Sequence, residues 1–375
     1  MNLEPFNLER IQSEWEHFVD FNLSESGVEP LRIIDLLETT ELKDQFLNMQ
    51  LGYSQTNGTV PLREAIAQYY PGSGAENILA TNGGAEANFL VTWWLFHENP
   101  LRRELVFMVP NYMQMSGIWK AFGGKVRTCK LQMAKRGWIP DIESLKDVVT
   151  DGTAAIMICN PNNPTGSIID TSSLKAIVEI ADEKGVWVVS DEVYRGAEMK
   201  EEKSPSMFGR YDKTIVTSSL SKVCALPGLR LGWAACPSQE VATQLWNYSD
   251  YTTICPSKMS DWLAVHALRP EFRAKIEQRT RKLIRENWSI TKKWLDSYSA
   301  LFEYVPPAAS AICFIKQKTG LSSLELVMRL LKEKSVLIAP GEYFEVPGFI
   351  RIGFGADREY LERAFERFSE FLDAL

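Results

Sequence analysis

The sequence predicts an α/β fold: a doubly wound, mostly parallel sheet with helices on both faces, joined to a smaller α+β domain. Three observations carry this. Short apolar runs rich in β-branched residues alternate with amphipathic stretches from about residue 78 to residue 236. Several of these runs are continuously apolar rather than alternating, as strands covered on both faces require. From about Pro256 the texture changes to long, charged helical patterns interrupted by single strand-like segments.

The expected strands of the large sheet are Glu104–Val109, Ala154–Cys159, Val186–Ser190, Thr214–Ser218 and Leu231–Cys236. Helical patterns such as Ala85–Phe96 and Ser172–Lys184 lie between them. Strands that alternate with helices imply parallel crossovers. Ligands of such sheets bind beyond the carboxyl ends of the strands, and the unusual sequences of this chain fall there. Further on, helical patterns run from Lys258 to about Tyr298. They are followed by strand-like Ile312–Lys316, helix-like Ser322–Lys334, strands near Val336–Ile338 and Phe349–Ile352, and a helix from Arg358. The expected division is an N-terminal segment (1–45) packing with the small domain, a large domain (46–255) and a small domain (256–375). Repeats, low-complexity tracts and Pro/Ser linkers are absent from the sequence.

Composition narrows the function. The chain has 375 residues, 45% hydrophobic and 24% charged, ordinary values for a globular enzyme. A net charge of -7 without any basic arm argues against nonspecific nucleic-acid binding. No apolar run is long enough to span a bilayer; Val91 to Phe96 is followed at once by His97 and Glu98. The acidic N-terminus lacks a signal-peptide core, so a cytoplasmic location is expected. The six cysteines are scattered without a C-x-x-C pair, so free buried thiols are expected. With only His17, His97 and His266, neither a catalytic metal nor a histidine-activated nucleophile is expected. The chemistry of an enzyme built from these residues would come from an organic cofactor.

Lys222 stands among small residues in Ser219-Leu220-Ser221-Lys222, with Arg230 eight positions later behind Pro227-Gly228. An amine that attacks a carbonyl needs its charge suppressed and its stem held. A nearby hydroxyl and guanidinium suit a phosphate, which arginine grips bidentately. The bland alternative is a surface lysine beside a turn. Asn160-Pro161-Asn162-Asn163-Pro164-Thr165-Gly166 forces a rigid loop at a strand end, with Asn163 free to offer its amide to a ligand oxygen. Asp191 closes the buried run Val188-Val189-Ser190, where it is either a helix N-cap or the partner of a cation. Gly83-Gly84-Ala85 opens a helix whose positive end could receive a phosphate. Tyr112 follows Pro110-Asn111 at the same rim, as a ring-stacking residue or as packing.

Taken together and in this order, these residues resemble the class I/II aminotransferases of pyridoxal phosphate (PLP) fold type I, the aspartate aminotransferase family, over nearly the whole chain. The resemblance implies a pyridoxal 5'-phosphate cofactor held by Lys222 as an internal aldimine, with Asp191 pairing the pyridine nitrogen. Asn163 and Tyr194 would bond the phenolic oxygen, and Tyr112 would stack on the ring. Ser219, Arg230 and the backbone of Gly84 and Ala85 would hold the phosphate. Two further segments are similar. Gln50-Leu51-Gly52-Tyr53 implies that Tyr53 reaches the phosphate of a partner subunit in a homodimer. Phe349-Ile350-Arg351-Ile352-Gly353 implies that Arg351 clamps the substrate α-carboxylate, together with Asn163 and with Gly27 of Ser24-Glu25-Ser26-Gly27. Apart from the resemblance, a structural salt bridge would also explain an arginine in a buried strand. The implied reaction moves an amino group from an L-amino acid to a 2-oxo acid through pyridoxamine phosphate. Elimination, cyclisation and decarboxylation run on the same scaffold, and a sensor that binds cofactor without turnover is a further alternative. No second arginine for a dicarboxylic side chain stands out, so aspartate specificity is not expected. Met113 and Met115, beside Tyr112, suggest an apolar substrate pocket.

Overall fold

Uninterrupted apolar sequence builds the centre of the structure. Thr153–Cys159 is buried along its whole length and Leu105 to Val109 likewise; only strands covered on both faces hide every side chain. The computed structural model describes residues 3–135 and 137–375. A short strand β1 (Phe21–Asn22) lies outside the main sheet. The main sheet contains β2 (Ile78–Thr81), β3 (Glu104–Val109), β4 (Lys125–Ala134), β5 (Gly137–Pro140), β6 (Thr153–Cys159), β7 (Trp187–Asp191), β8 (Thr214–Ser219) and β9 (Gly232–Ala235). Their order is β2-β9-β8-β7-β6-β3-β4-β5. The pairs β4/β3, β3/β6, β6/β7 and β7/β8 are parallel. β9 is antiparallel to both β2 and β8, so β2 points the same way as β8. The carboxyl ends of β2, β3, β6, β7 and β8 therefore share one edge.

The expected strands are present with ends shifted by one residue or so. β4 and β5 were not expected: β4 carries alternating lysine, arginine and threonine and faces solvent along much of its length, which hides the apolar signature. The crossover helix Thr171–Lys184 starts as its sequence directs, with the Asp170 carboxylate accepting from Ser173 N at 2.7 Å.

A second, antiparallel sheet holds β10 (Phe302–Tyr304) and β11 (Ile312–Gln317), then β13 (Ala339–Pro340) and β14 (Phe349–Gly353) in the order β10-β11-β14-β13. Helices Ser323–Lys334 and Arg358–Leu372 bury amphipathic faces against it. β12 (Val336–Leu337) pairs in parallel with β1, Phe21 opposite Val336. The chain after β1 stays tied to this layer: Gly353 N donates to Leu23 O at 2.7 Å and Glu29 N to Gly355 O at 2.8 Å. Helix Lys258–Ala267 places Leu263, Ala264 and Ala267 in the core beneath the main sheet. The next helix, Pro270–Ser297, begins in that core with Phe272 and Ile276 and continues to Ile284 and Leu295 in the second. Each fully buried aliphatic side chain in these cores contributes roughly 1.5–3 kcal/mol.

Glu104, at the start of β3, takes Arg127 Nε at 2.6 Å and Nη2 at 3.0 Å from the neighbouring strand, and Thr150 Oγ1 at 2.8 Å. The hydrogen bonds from Arg127, with those from Thr150 and Lys125, hold its carboxyl down at about 2 against the opposing effect of burial. A depressed folded-state pKa gives stability that is present above the unfolded value and lost as pH falls toward the folded one. Glu104→Gln should therefore cost about 1 kcal/mol at neutral pH. The deficit, read by urea unfolding, should shrink as pH falls from 4.5 toward about 2.

Candidate active site

The parallel strands deliver their loops to one cleft, and each loop brings a polar group. Beyond β8, the tight turn Ser219 to Lys222 projects the lysine into the cleft, its side chain 22% exposed. Lys222 Nζ donates to Glu25 Oε1 at 2.7 Å. The same carboxylate oxygen accepts from Gly27 N at 2.7 Å. The Lys222 charge, aided by these hydrogen bonds, holds the Glu25 carboxyl down at about 2. Desolvation alone would depress the lysine; the attraction of Glu25, with Tyr194, outweighs it and raises the Lys222 pKa.

β7 ends at Asp191. Its Oδ1 accepts from Val193 N at 3.0 Å and its Oδ2 from Asn88 Nδ2 at 3.1 Å. A turn follows, not a helix, which removes the N-cap reading. No ion pair reaches Asp191 among the described residues, and burial pushes its carboxyl above the usual range. The loop after β6 is fastened by two of its asparagines. Asn162 Oδ1 accepts from Thr165 Oγ1 at 2.7 Å, and Asn160 Oδ1 accepts from Ile169 N at 2.9 Å. That leaves the third, Asn163, to the cleft: its Oδ1 accepts from Arg351 Nη1 at 2.8 Å. Tyr194 is buried and donates to Ser26 Oγ at 2.8 Å.

Arg351 on β14 is 1% exposed. Besides Asn163 it donates to the Ser24 carbonyl, its Nε has no partner, and its guanidinium lies 5.1 Å from the Phe344 ring centroid. It forms no carboxylate ion pair among the described residues, so the structural salt bridge is excluded. A buried guanidinium without a counter-ion requires an anion.

The corner where a helix start meets Arg230 is equally specific. Gly83, at φ +88°, precedes helix Gly84–Glu98, and a side chain there would stand 2.7 Å from Arg230 Nη2. Gly232 on β9 passes so close to the Gly83-Gly84 peptide that no side chain fits. Arg230, the backbone of Gly84 and Ala85, and buried Ser219 thus converge at one helix end.

Tyr112, half-buried, donates to Glu9 Oε1 at 2.8 Å and meets Phe6 edge-on at 4.8 Å, so the helix Asn7–Trp15 lies against it. Gly27 lies beside Lys222 and Glu25. Tyr53 is 87% exposed and joins none of these contacts within one chain. Of the two methionines, Met115 is buried in the core, while Met113 packs against that core and also lines a hollow with Phe6, Phe89 and Phe122. Sequence reasoning missed Glu25, Glu9 and Asn88 as contributors. Asn88 lies one helical turn beyond Gly84, a spacing that could have exposed it; Glu25 and Glu9 meet partners 197 and 103 residues away and carry no local signal.

A lysine amine, a carboxylate without a cation and an arginine at a helix start, brought together beyond the strand ends, fit pyridoxal phosphate. The family model for aminotransferase class I and II matches residues 41–368, and the chain belongs to that family. It is 26% identical over 339 residues to an aspartate aminotransferase of Thermotoga maritima, covering 87% of this chain and 84% of the relative. A capreomycidine synthase of Streptomyces vinaceus is 28% identical over 359 residues, 94% of this chain and 89% of that one. A solved PLP-dependent aminotransferase from Streptococcus suis superposes with a TM-score of 0.89 at 32% identity, covering 100% of this chain and 99% of that one. The protein is a PLP-dependent aminotransferase of fold type I. No helix among the described residues is long and apolar enough to cross a membrane.

Gly83→Ala should weaken retention of the cofactor by roughly tenfold, because the added methyl displaces the Arg230 guanidinium. Titration of the apoprotein with pyridoxal phosphate, followed by absorbance, measures it; unchanged affinity would show that Arg230 does not hold the phosphate.

Proposed function

We propose that the protein transfers an amino group from an L-amino acid to a 2-oxo acid, with Lys222 as both the carrier of the cofactor and the proton-transfer base. One observation supports this above the others. Lys222, a carboxylate without a cation (Asp191) and a guanidinium without an anion (Arg351) open on the same cleft. Bound pyridoxal phosphate supplies the electron sink for the bond broken at the substrate's Cα. Asp191 would keep the pyridine nitrogen protonated. Tyr194 and Asn163 would hydrogen-bond the phenolic oxygen, and Tyr112 would cover the ring. Ser219, Arg230 and the N–H groups of Gly84 and Ala85 would bind the phosphate. Arg351, with Asn163 and Gly27, fixes the substrate α-carboxylate so that its Cα proton faces Lys222 Nζ, which removes and holds that proton.

The working unit is a homodimer in which Tyr53 reaches the partner's phosphate site; its 87% exposure in a single chain supports that role. The location is cytoplasmic. A second reading, cyclisation or elimination on the same residues, has the likeness to capreomycidine synthase in its favour.

Product analysis separates the two. Incubation with a panel of L-amino acids should yield 2-oxo acid and pyridoxamine phosphate; a cyclic or deaminated product without pyridoxamine phosphate supports the second reading. Lys222→Ala should lower turnover at least ~10²–10⁴-fold, since a positioned base supplies that much; near-parental turnover contradicts the assignment. Tyr53→Phe should raise the cofactor dissociation constant roughly tenfold or more, about the worth of one charge-assisted hydrogen bond, while sedimentation still reports a dimer. A monomer that retains cofactor normally would exclude the shared site.

A further inference from the structure

Glu25 lies at the reacting lysine, and neither cofactor binding nor α-carboxylate binding uses it. Its place is set by the backbone as well as by Lys222. Leu23 N donates to Leu337 O at 2.8 Å, Glu29 N donates to Gly355 O at 2.8 Å, and Gly27 N donates to the carboxylate itself at 2.7 Å. The side chain is about half exposed, and it lines a hollow beside Lys222.

Lys222 can satisfy Glu25 only while its amine is free and protonated. A lysine that holds the cofactor has given up N–H donors to the new bond, and Glu25 then keeps Gly27 N–H alone. That carboxylate, left to one backbone N–H and water, attracts a cation. Beside it opens a hollow of about 260 Å³ whose walls include Glu16, Glu25 and Glu29 and no lysine or arginine. Glu29 makes no ion pair among the described residues, and Glu16 meets only the exposed His17, at 3.3 Å. Asn22 adds a polar group, and Val28, Pro30, Pro227 and Ala356 make the rest of the lining largely apolar, which suits the methylene stem of a short chain ending in a charged group.

We propose that Glu25 determines substrate specificity, selecting amino acids whose side chain ends in an ammonium or guanidinium group. The inference rests on the aminotransferase reading and names the substrate class of that same site. An incoming cation replaces Lys222 as the partner of Glu25, which removes the attraction that keeps a proton on the lysine amine. Recognition of the side chain and readiness of the base are thereby coupled. A neutral side chain leaves Glu25 unpaired, and an acidic one meets three glutamates, which is discrimination by repulsion.

The test uses the holoenzyme and two probes that cannot lose a Cα proton, α-methyl-L-ornithine and α-methyl-L-norvaline, which differ by the terminal amine. Binding is read calorimetrically and by the change in cofactor absorption. The ornithine probe should bind at least roughly tenfold more tightly, the worth of one good charge-assisted contact. Glu25→Gln should bring the ratio close to one, and Glu25→Asp should keep a cationic preference. Equal binding of the two probes by the parent protein, or a ratio unchanged in Glu25→Gln, would overturn the selection by Glu25. If those results accompany normal conversion of neutral amino acids, the aminotransferase reading stands alone. Binding of neither probe, with no amino acid converted, would overturn both.

Discussion

A carboxylate held at the end of a parallel strand, dehydrated and without a cation, sets the terms on which this site is built. Asp191 receives one side-chain amide and one backbone N–H, which orient it without neutralising it. Strands flanked on both sides leave no room for a surface counter-ion, so the charge can be balanced only from the cleft. A protonated pyridine ring would satisfy that demand and would become a stronger electron acceptor in doing so. The parallel order β7-β6-β3 on one side and β8 on the other then brings the remaining loops to the same edge as Asp191.

The opposite charge is treated in the same way on the second layer. Arg351 arrives on β14, buried, bonded to an amide and a carbonyl, and left without an anion. The two layers therefore face each other with complementary vacancies of charge, one suited to a ring nitrogen and the other to a carboxylate. Lys222 and Glu25 meet nearby as a pair, the amine donating to the carboxylate at 2.7 Å. The N-terminal segment is what joins these halves: β1 pairs with β12, while residues 24 to 27 run past both Arg351 and Lys222.

Much of this was legible in the sequence because it is written locally. β3 and β6 are apolar almost throughout, β7 and β8 carry apolar β-branched residues with hydroxyls among them, and the groups that close or follow the four strands, Tyr112, Asn163, Asp191 and Lys222, stand beside or near Pro, Gly or short hydroxyl residues that break regular structure. β4 was illegible because its exposed face carries charge. Met113 and Met115 read alike in the sequence, yet Met115 fills the core and Met113 lines a hollow, because a methionine suits either place. Glu25 was illegible for a deeper reason: the residues around it describe only a turn, and its meaning arises from a lysine brought to it by tertiary folding. Long-range charge pairing has no period and no spacing to read.

The account stands or falls on Lys222 as the residue that carries the cofactor. Borohydride reduction of the protein loaded with pyridoxal phosphate, followed by proteolysis and mass spectrometry, tests this directly. The account predicts one phosphopyridoxyl group, attached to the peptide containing Lys222. A label on another lysine, or no stable label in protein that retains its fold, would contradict it.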